Sequence, residues 1–333
     1  MRSILVCEKK EKITQVYEES LLLDLRERAG LDPVIYSKEE LLASPESYSD
    51  VDYLFSTWGM PVFTEEEIEA CLPNLKAVFY AAGTVQRFAR PFLKRGIAVY
   101  SAWAANAVPV AEYTVAQILL ANKGFYAQTR LMAQKRLDDA NARRKLCVGN
   151  YEEKIGLIGC GMIGSLVANM LGSYHLDVLV FDPFLSPERA KELGVTSVSL
   201  EELFASCRVV SNHLANNEAT RGMLKYAHFS SMPPQATFLN TGRGAQVVEA
   251  DLARALEERE DLTAVLDVTD PEPCPTDHPF YTLSNCFLTP HIAGSLGNET
   301  HRMAEYMKEE WEAVVSGRPT RYRVSEKMLE TMA

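Results

Sequence analysis

Short apolar runs separated by amphipathic stretches fill the first hundred residues. SILVCE, PVIYS, VDYLFST, LKAVFYAAG and IAVYSA read as strands, and the stretch from about Lys12 to Arg28 repeats apolar residues at helical spacing. Strands alternating with helices predict a parallel sheet with crossover connections. VPVAEYTVAQILLA then predicts a long helix from about Val108 to Ala121. The following stretch, 122–150, is polar and basic with weak helical periodicity, and reads as a solvated helix or a subunit contact. Beyond Tyr151 the strand rhythm restarts with KIGLIG, VLVFD, RVVSNHL, ATFLNTG, TAVLDV and FLTP. A last helix, in GNETHRMAEYMKEEWEAVV, has Asn298 as its candidate N-cap, and no low-complexity linker divides the two α/β units.

Composition narrows the function without naming it. A chain of 333 residues matches two domains at the usual size of about 150 residues each. The net charge of −11 argues against a nucleic-acid partner, which demands clustered Lys and Arg. No apolar run reaches the roughly 18 to 20 residues of a membrane span, and the start is too short in apolar residues for a signal peptide. Seven cysteines, odd in number and without a CxxC, suit reduced thiols in the cytoplasm and give no zinc or disulfide framework. No His pair has the H-x-x-x-H spacing of a helical metal site, so no metal is expected.

KIGLIGCGMIGSLVANML places Gly159, Gly161 and Gly164 in GxGxxG spacing, after a strand and at the opening of a helix. In that context the first glycine permits the tight turn, the second lets the backbone approach a pyrophosphate, and the third lets helix pack on strand. The N–H groups that open the helix, at Met162, Ile163 and Gly164, would face the phosphates. Asp182 ends VLVFD 18 residues past Gly164 (182 − 164 = 18). A carboxylate there accepts hydrogen bonds from ribose hydroxyls and repels a 2′-phosphate, which predicts NAD rather than NADP.

Three further segments, NTGRGAQVVE (240–249), LDVTDPEP (266–273) and LTPHIAGS (288–295), follow in order. With them the chain resembles the D-isomer-specific 2-hydroxyacid dehydrogenases, a family that includes D-3-phosphoglycerate and glyoxylate/hydroxypyruvate dehydrogenases. The family motifs N-x-x-R-G, D-V-x-x-x-E-P and P-H-x-x-G fall on Arg243, Glu272 and His291. The resemblance implies a Rossmann NAD-binding domain (105–293) inserted in a flavodoxin-like α/β substrate domain (1–104 plus 294–333), and a homodimer. It also implies nicotinamide-side contacts from His213, Thr241 and Asp267, and substrate contacts from Ala82, Gly83 and Thr84 in the AAGT loop together with Arg243.

The implied chemistry needs these residue types in any fold. Reducing a 2-keto acid requires hydride at C2 and a proton at the developing alkoxide, and an imidazolium at His291 can donate that proton. Glu272 would stabilise the imidazolium and fix its tautomer. Arg243 would grip the substrate carboxylate with a planar fork that lysine cannot reproduce. His278, in TDHPF, reads instead as a flexible surface residue. Ala215 replaces the family's H-x-P proline and Glu249 the usual aspartate, while VQRF after AAGT leaves substrate choice open. Trp58 and Met60 form either a substrate wall or core packing. An NAD-responsive corepressor-like scaffold and a formate dehydrogenase-like enzyme are the alternative readings.

Overall fold

The computed structural model describes residues 1–330. The chain divides into two compact units, one built from Met1–Asn106 with the segment from Ser295 on, the other from Ala107–Gly294.

The first unit holds five parallel strands: β1 (Ser3–Val6), β2 (Leu31–Tyr36), β3 (Tyr53–Ser56), β4 (Ala77–Tyr80) and β5 (Ala98–Ser101), in the order β2-β1-β3-β4-β5. This is the flavodoxin-like order, whose direction reverses between β1 and β3. β1, β3 and β4 are buried along their whole length, as a sheet covered by helices on both faces requires. The helix His301–Val315 returns to this unit and buries Met303, Met307 and Trp311 in its core.

Two local expectations are corrected here. The predicted helix from Lys12 to Arg28 is two helices, Lys10–Val16 and Glu19–Ala29. The chain breaks where Tyr17 leaves the helix and sends its hydroxyl to the Ser56 carbonyl in the buried interior (3.1 Å). Asn298 does not cap the last helix, because a 3-10 turn, Gly297–Thr300, precedes it and puts Thr300 at the cap position. The Thr300 hydroxyl donates to the Gln15 carbonyl (2.8 Å), which fixes that start.

In the second unit seven parallel strands lie in the order β12-β11-β10-β9-β6-β7-β8: β6 (Glu153–Ile158), β7 (Leu176–Phe181), β8 (Thr196–Ser197), β9 (Val209–Asn212), β10 (Thr237–Asn240), β11 (Thr263–Leu266) and β12 (Cys286–Leu288). The order is that of a Rossmann fold extended by one strand, and it reverses between β6 and β9. Strand alternation splits the interior into two layers. Ile155, Leu157, Val178, Val180, Val209, Leu239 and Val265 face one side, and Ile158, Leu179, Val210, Phe238 and Leu266 the other. Gly156 interrupts the pattern because a Cβ there would stand 2.5 Å from Leu203 Cδ2, so its absence lets the helix Leu200–Ser206 approach β6.

The chain passes from one unit to the other within the helix Trp103–Asn122, which starts five residues before the predicted Val108 and contains Pro109. The basic stretch after it forms two short helices, Phe125–Ala133 and Leu137–Arg144, that bury Tyr126, Leu131 and Ala140 and leave Phe125, Met132 and Leu137 exposed, as is Leu146 just beyond them. Among the described residues no helix is long and apolar enough to cross a membrane.

Candidate active site

At the reversal point of the seven-stranded sheet, the three predicted glycines have three different surroundings. Gly159 sits at φ +90°, and a Cβ there would lie 2.8 Å from the His213 carbonyl oxygen. A Cβ on Gly164 would overlap the Gly159 carbonyl, so helix and loop close only around glycine. Gly161 has open space where its Cβ would be. No side chain caps the helix Met162–Leu171, which leaves the N–H groups at Met162, Ile163 and Gly164 without a side-chain acceptor and facing that space. Such a glycine-lined, uncapped helix start is the cradle a pyrophosphate needs, and it fits the dinucleotide the sequence predicts.

Asp182 directly follows β7 and uses one oxygen for the Cys160 amide (2.6 Å) and the other for the Phe184 amide (2.8 Å). Each carboxylate oxygen accepts two hydrogen bonds, so Asp182 holds the glycine loop and keeps lone pairs for a ribose.

Beyond β9 and β10 lies a group of residues whose role no motif announced. The side chains of Asn212, Asn240 and Gln246 are buried and bonded to one another, Asn212 Nδ2 donating to Asn240 Oδ1 (3.0 Å) and to Gln246 Oε1 (2.6 Å). Asn240 Oδ1 also accepts from the Gly242 amide and its Nδ2 donates to the Arg243 carbonyl, while Gln246 Oε1 accepts from the Arg243 amide. Gln246 Nε2 reaches the Leu214 carbonyl (2.7 Å), and the Leu214 amide returns to Asn212 Oδ1. Buried amides left unpaired would each cost about 1–3 kcal/mol, so this closed circuit fixes the loops after both strands in one conformation. Its trace in sequence is an asparagine at the end of each apolar strand, in SNHL and in LNTG, the second being the asparagine of the N-x-x-R-G motif.

The circuit grips the backbone of Arg243 and leaves its side chain available. Among the described residues, the guanidinium donates only to the Gly242 carbonyl (2.7 Å). Burial lowers the Arg243 pKa, and the nearby Glu272 carboxylate opposes that shift. A half-buried guanidinium with most of its fork unused is suited to an anionic ligand. His213, beside Gly159, is half-buried; its Nε2 meets Ser211 Oγ (2.9 Å), while its Nδ1 is buried and has no hydrogen-bond partner among the described residues. Desolvation pushes its pKa down to about 4, so it is neutral at pH 7. Thr241 is buried and turns its hydroxyl to Thr114 (3.3 Å).

Asp267, 2% exposed at the end of β11, organises the histidine loop. It accepts from Thr289 Oγ1 (2.6 Å), from the Ile292 amide (2.8 Å) and from the Ala293 amide (2.8 Å), and its carbonyl accepts from the His291 amide (3.0 Å). Held on both sides, His291 adopts φ +55°, a conformation that costs a non-glycine residue about 1–3 kcal/mol. That strain turns the imidazole toward Glu272, with Nδ1 2.6 Å from Oε1. The carboxylate makes Nδ1 a donor, and Nε2 has no protein partner among the described residues. The structure thus brings Glu272 and His291 into one hydrogen-bonded pair, with Arg243 close by in the same unit.

His278 departs from its sequence reading as a flexible surface residue. Its side chain is 19% exposed, its ring is tilted against that of buried Phe280 with centroids 4.4 Å apart, and its Nε2 lies 3.4 Å from Glu249. The TDHPF loop turns back into a 3-10 helix, Pro279–Tyr281, which carries the ring inward.

In the first unit, the AAGT loop follows β4. Ser101 Oγ donates to the Ala82 carbonyl (2.9 Å) and also to that of Gly83, while Thr57 Oγ1 donates to Ala81 (2.7 Å). Ala82 is buried and its amide donates to the Tyr80 carbonyl. The amides of Gly83 and Thr84 have no protein acceptor among the described residues. Trp58 and Met60 are half-buried at the edge of the same unit's core, with the Lys12 ammonium 6.0 Å over the indole.

The fold and the second unit's site define a two-unit α/β protein whose Rossmann part carries a dinucleotide cradle beside an Arg, Glu and His group. Residues 115–293, more than half of the chain, match the model of the D-isomer specific 2-hydroxyacid dehydrogenase NAD-binding domain, and the chain belongs to that family. It is 28% identical to D-3-phosphoglycerate dehydrogenase of Archaeoglobus fulgidus over 91% of this chain and 57% of that protein. A glyoxylate reductase of Korarchaeum cryptofilum is 30% identical over 79% of this chain and 80% of its own length. Among solved structures, the TT0316 protein of Thermus thermophilus superposes with a TM-score of 0.70 at 28% identity, covering 97% of this chain and all of that one. The chain spans about half the length of the curated phosphoglycerate dehydrogenases it matches. NAD is the cofactor of the matched domain.

Proposed function

We propose that this protein is an NAD-dependent oxidoreductase that interconverts a 2-keto acid and a D-2-hydroxy acid. The observation that carries the proposal is the Glu272–His291 pair, 2.6 Å apart on a strained loop beside the open guanidinium of Arg243. Reduced nicotinamide supplies the hydride when bound. Gly159, Gly161 and Gly164, with the helix start at Met162 and Ile163, hold the pyrophosphate, and Asp182 holds the ribose. His213, Thr241 and Asp267 line the nicotinamide side. Arg243 takes the substrate carboxylate with the donors that Gly242 leaves free. In the first unit, the family resemblance assigns substrate contacts to the amides of Gly83 and Thr84, on a loop packed by Ala82, and these amides have no protein acceptor among the described residues. Glu272 occupies Nδ1, so Nε2 of His291 is the nitrogen that gives its proton to the alkoxide and takes it back in oxidation.

A homodimer is part of the proposal, supported by the apolar side chains exposed at Phe125, Met132, Leu137 and Leu146. Seven free thiols favour a reducing compartment and hence the cytoplasm. The test is NADH oxidation against a panel of 2-keto acids, from glyoxylate and pyruvate to branched and aromatic acids, with NADPH as the control. Turnover with NADH and silence with NADPH supports the reaction and the Asp182 assignment together. NADH binding without turnover of any acid favours a scaffold that responds to NAD.

A further inference from the structure

The residue that sets the position of Glu272 lies elsewhere in the sequence, at the start of the helix Glu249–Glu258. Glu249 is 12% exposed, and its Oε1 accepts from the Asp270 amide (2.9 Å), two residues before Glu272. Its second oxygen faces His278 Nε2 at 3.4 Å. The tautomer of that ring follows from its other nitrogen: Nδ1 accepts from the Phe280 amide (3.3 Å), so the single ring proton of neutral His278 sits on Nε2 and points at Glu249. One half-buried carboxylate therefore joins the loop 270–273 to the 3-10 helix Pro279–Tyr281 on its far side. Burial raises the Glu249 pKa, as expected for a carboxylate placed where water is scarce.

A second contact registers the same loop against Arg243. A Cβ on Gly244 would overlap the Thr269 carbonyl carbon and the Asp270 nitrogen, so the residue after Arg243 lies in direct van der Waals contact with the backbone that leads to Glu272. Gly244 sets how close the two loops come, and Glu249 sets the loop's orientation by a directed bond. The Glu272 side chain is itself exposed, and the one protein hydrogen bond recorded for it among the described residues is to His291. Its aim is thus decided by its backbone, and its backbone by the residues on either side.

We infer that Glu249, supported by His278, is a positioning residue that holds the 270–273 loop so that Glu272 meets His291 Nδ1. The inference rests on the dehydrogenase reading for its consequence in catalysis, although the bond itself can be tested without turnover. Amide hydrogen exchange at Asp270 and the downfield Nδ1–H proton resonance of His291 are measured by NMR in the NADH-bound wild type, Glu249→Ala and Glu249→Gln, with Glu272→Gln as the control that removes the resonance. Glu249→Ala is expected to speed Asp270 exchange and to lose or broaden the His291 signal. Glu249→Gln keeps one acceptor oxygen for Asp270 and restores both.

Turnover is then read on the same proteins. Misplacing a catalytic group costs up to about 100-fold in rate, so kcat of Glu249→Ala should fall about 10- to 100-fold while KM for NADH changes much less, and Glu249→Gln should recover most of the loss. Unchanged Asp270 exchange, or an unchanged His291 signal, in Glu249→Ala overturns the inference. Altered NMR signals with wild-type kcat overturn its catalytic part. A wild type that turns over no 2-keto acid, yet loses the His291 signal on Glu249→Ala, upholds the positioning and removes the proposed reaction instead.

Discussion

The carboxyl edges of the two parallel sheets are built alike and equipped differently. At the five-stranded edge stand Cys7, Thr57, Ala81, Ala82 and Gly83, and the hydroxyls of Ser56, Thr57 and Ser101 all donate to backbone carbonyls. At the seven-stranded edge stand Asp182, Arg243, Asp267, Glu272 and His291, most of them bonded to one another's loops. The first edge offers shape and backbone N–H groups, and the second offers charge and a movable proton. Reversal points give any such sheet a place for a ligand, but the chemistry is set by the side chains that the loops there present.

The contrast is sharpest where a side chain is removed from the charged edge. His291→Ala should lower kcat by about 10²- to 10⁴-fold, the usual contribution of a general acid–base, and leave NADH affinity close to wild type in a fluorescence titration. Loss of NADH binding in that variant would move His291 from chemistry to scaffold. The glycine cradle should respond the other way. Gly164→Ala forces a Cβ against the Gly159 carbonyl and should weaken NADH binding by more than about tenfold, an energy of about 1.4 kcal/mol or more, with a smaller effect on kcat at saturation.

A third substitution separates holding the loop from doing the chemistry. Asp267→Asn turns one of its two accepting oxygens into a donor facing an amide, and should cost about 1–3 kcal/mol in denaturant unfolding. Unchanged stability would show that the loop keeps φ +55° at His291 without this clamp.

The last effect is graded with pH. The folded-state pKa of His213, about 4, lies below the unfolded 6.5, so the unfolded chain takes up the proton first. Stability from this group is complete above pH 6.5 and is lost as pH falls toward 4, by on the order of 1–3 kcal/mol. Replacing His213 with Asn should flatten that part of the stability curve relative to wild type. Equal acid sensitivity in the two proteins would place the proton elsewhere.

Patterns of apolar residues sufficed to mark eleven of the twelve strands among the described residues and the change from one parallel sheet to the next. β8, with only two residues, carries no pattern to read, and PVIYS marked the later part of β2 while missing its start at Leu31. The helix split at Tyr17 escaped because both halves keep helical spacing, and only a buried hydroxyl acceptor at Ser56 decides where they part. His278 looked loose because its neighbours are prolines, and the ring's fate depends on Phe280 and Glu249 closing around it.

By itself the sequence determined most of the elements, the glycine spacing and the acidic residue 18 positions later, while the resemblance to the family's motifs picked out the Arg, Glu and His that carry the proposal. The elements and the glycine loop are local properties, set by strand alternation, helical period and the steric freedom of glycine. Only the tertiary structure decided that Glu272 meets His291, that Asp267 is spent largely on three donors from the histidine loop, and that Asn212, Asn240 and Gln246 close into one circuit. Those bonds join residues 19 to 34 positions apart, and their partners are chosen by which strands become neighbours in the sheet. A hydrogen bond of that kind has no periodicity to reveal it in the sequence, because it exists only once the strands are in register.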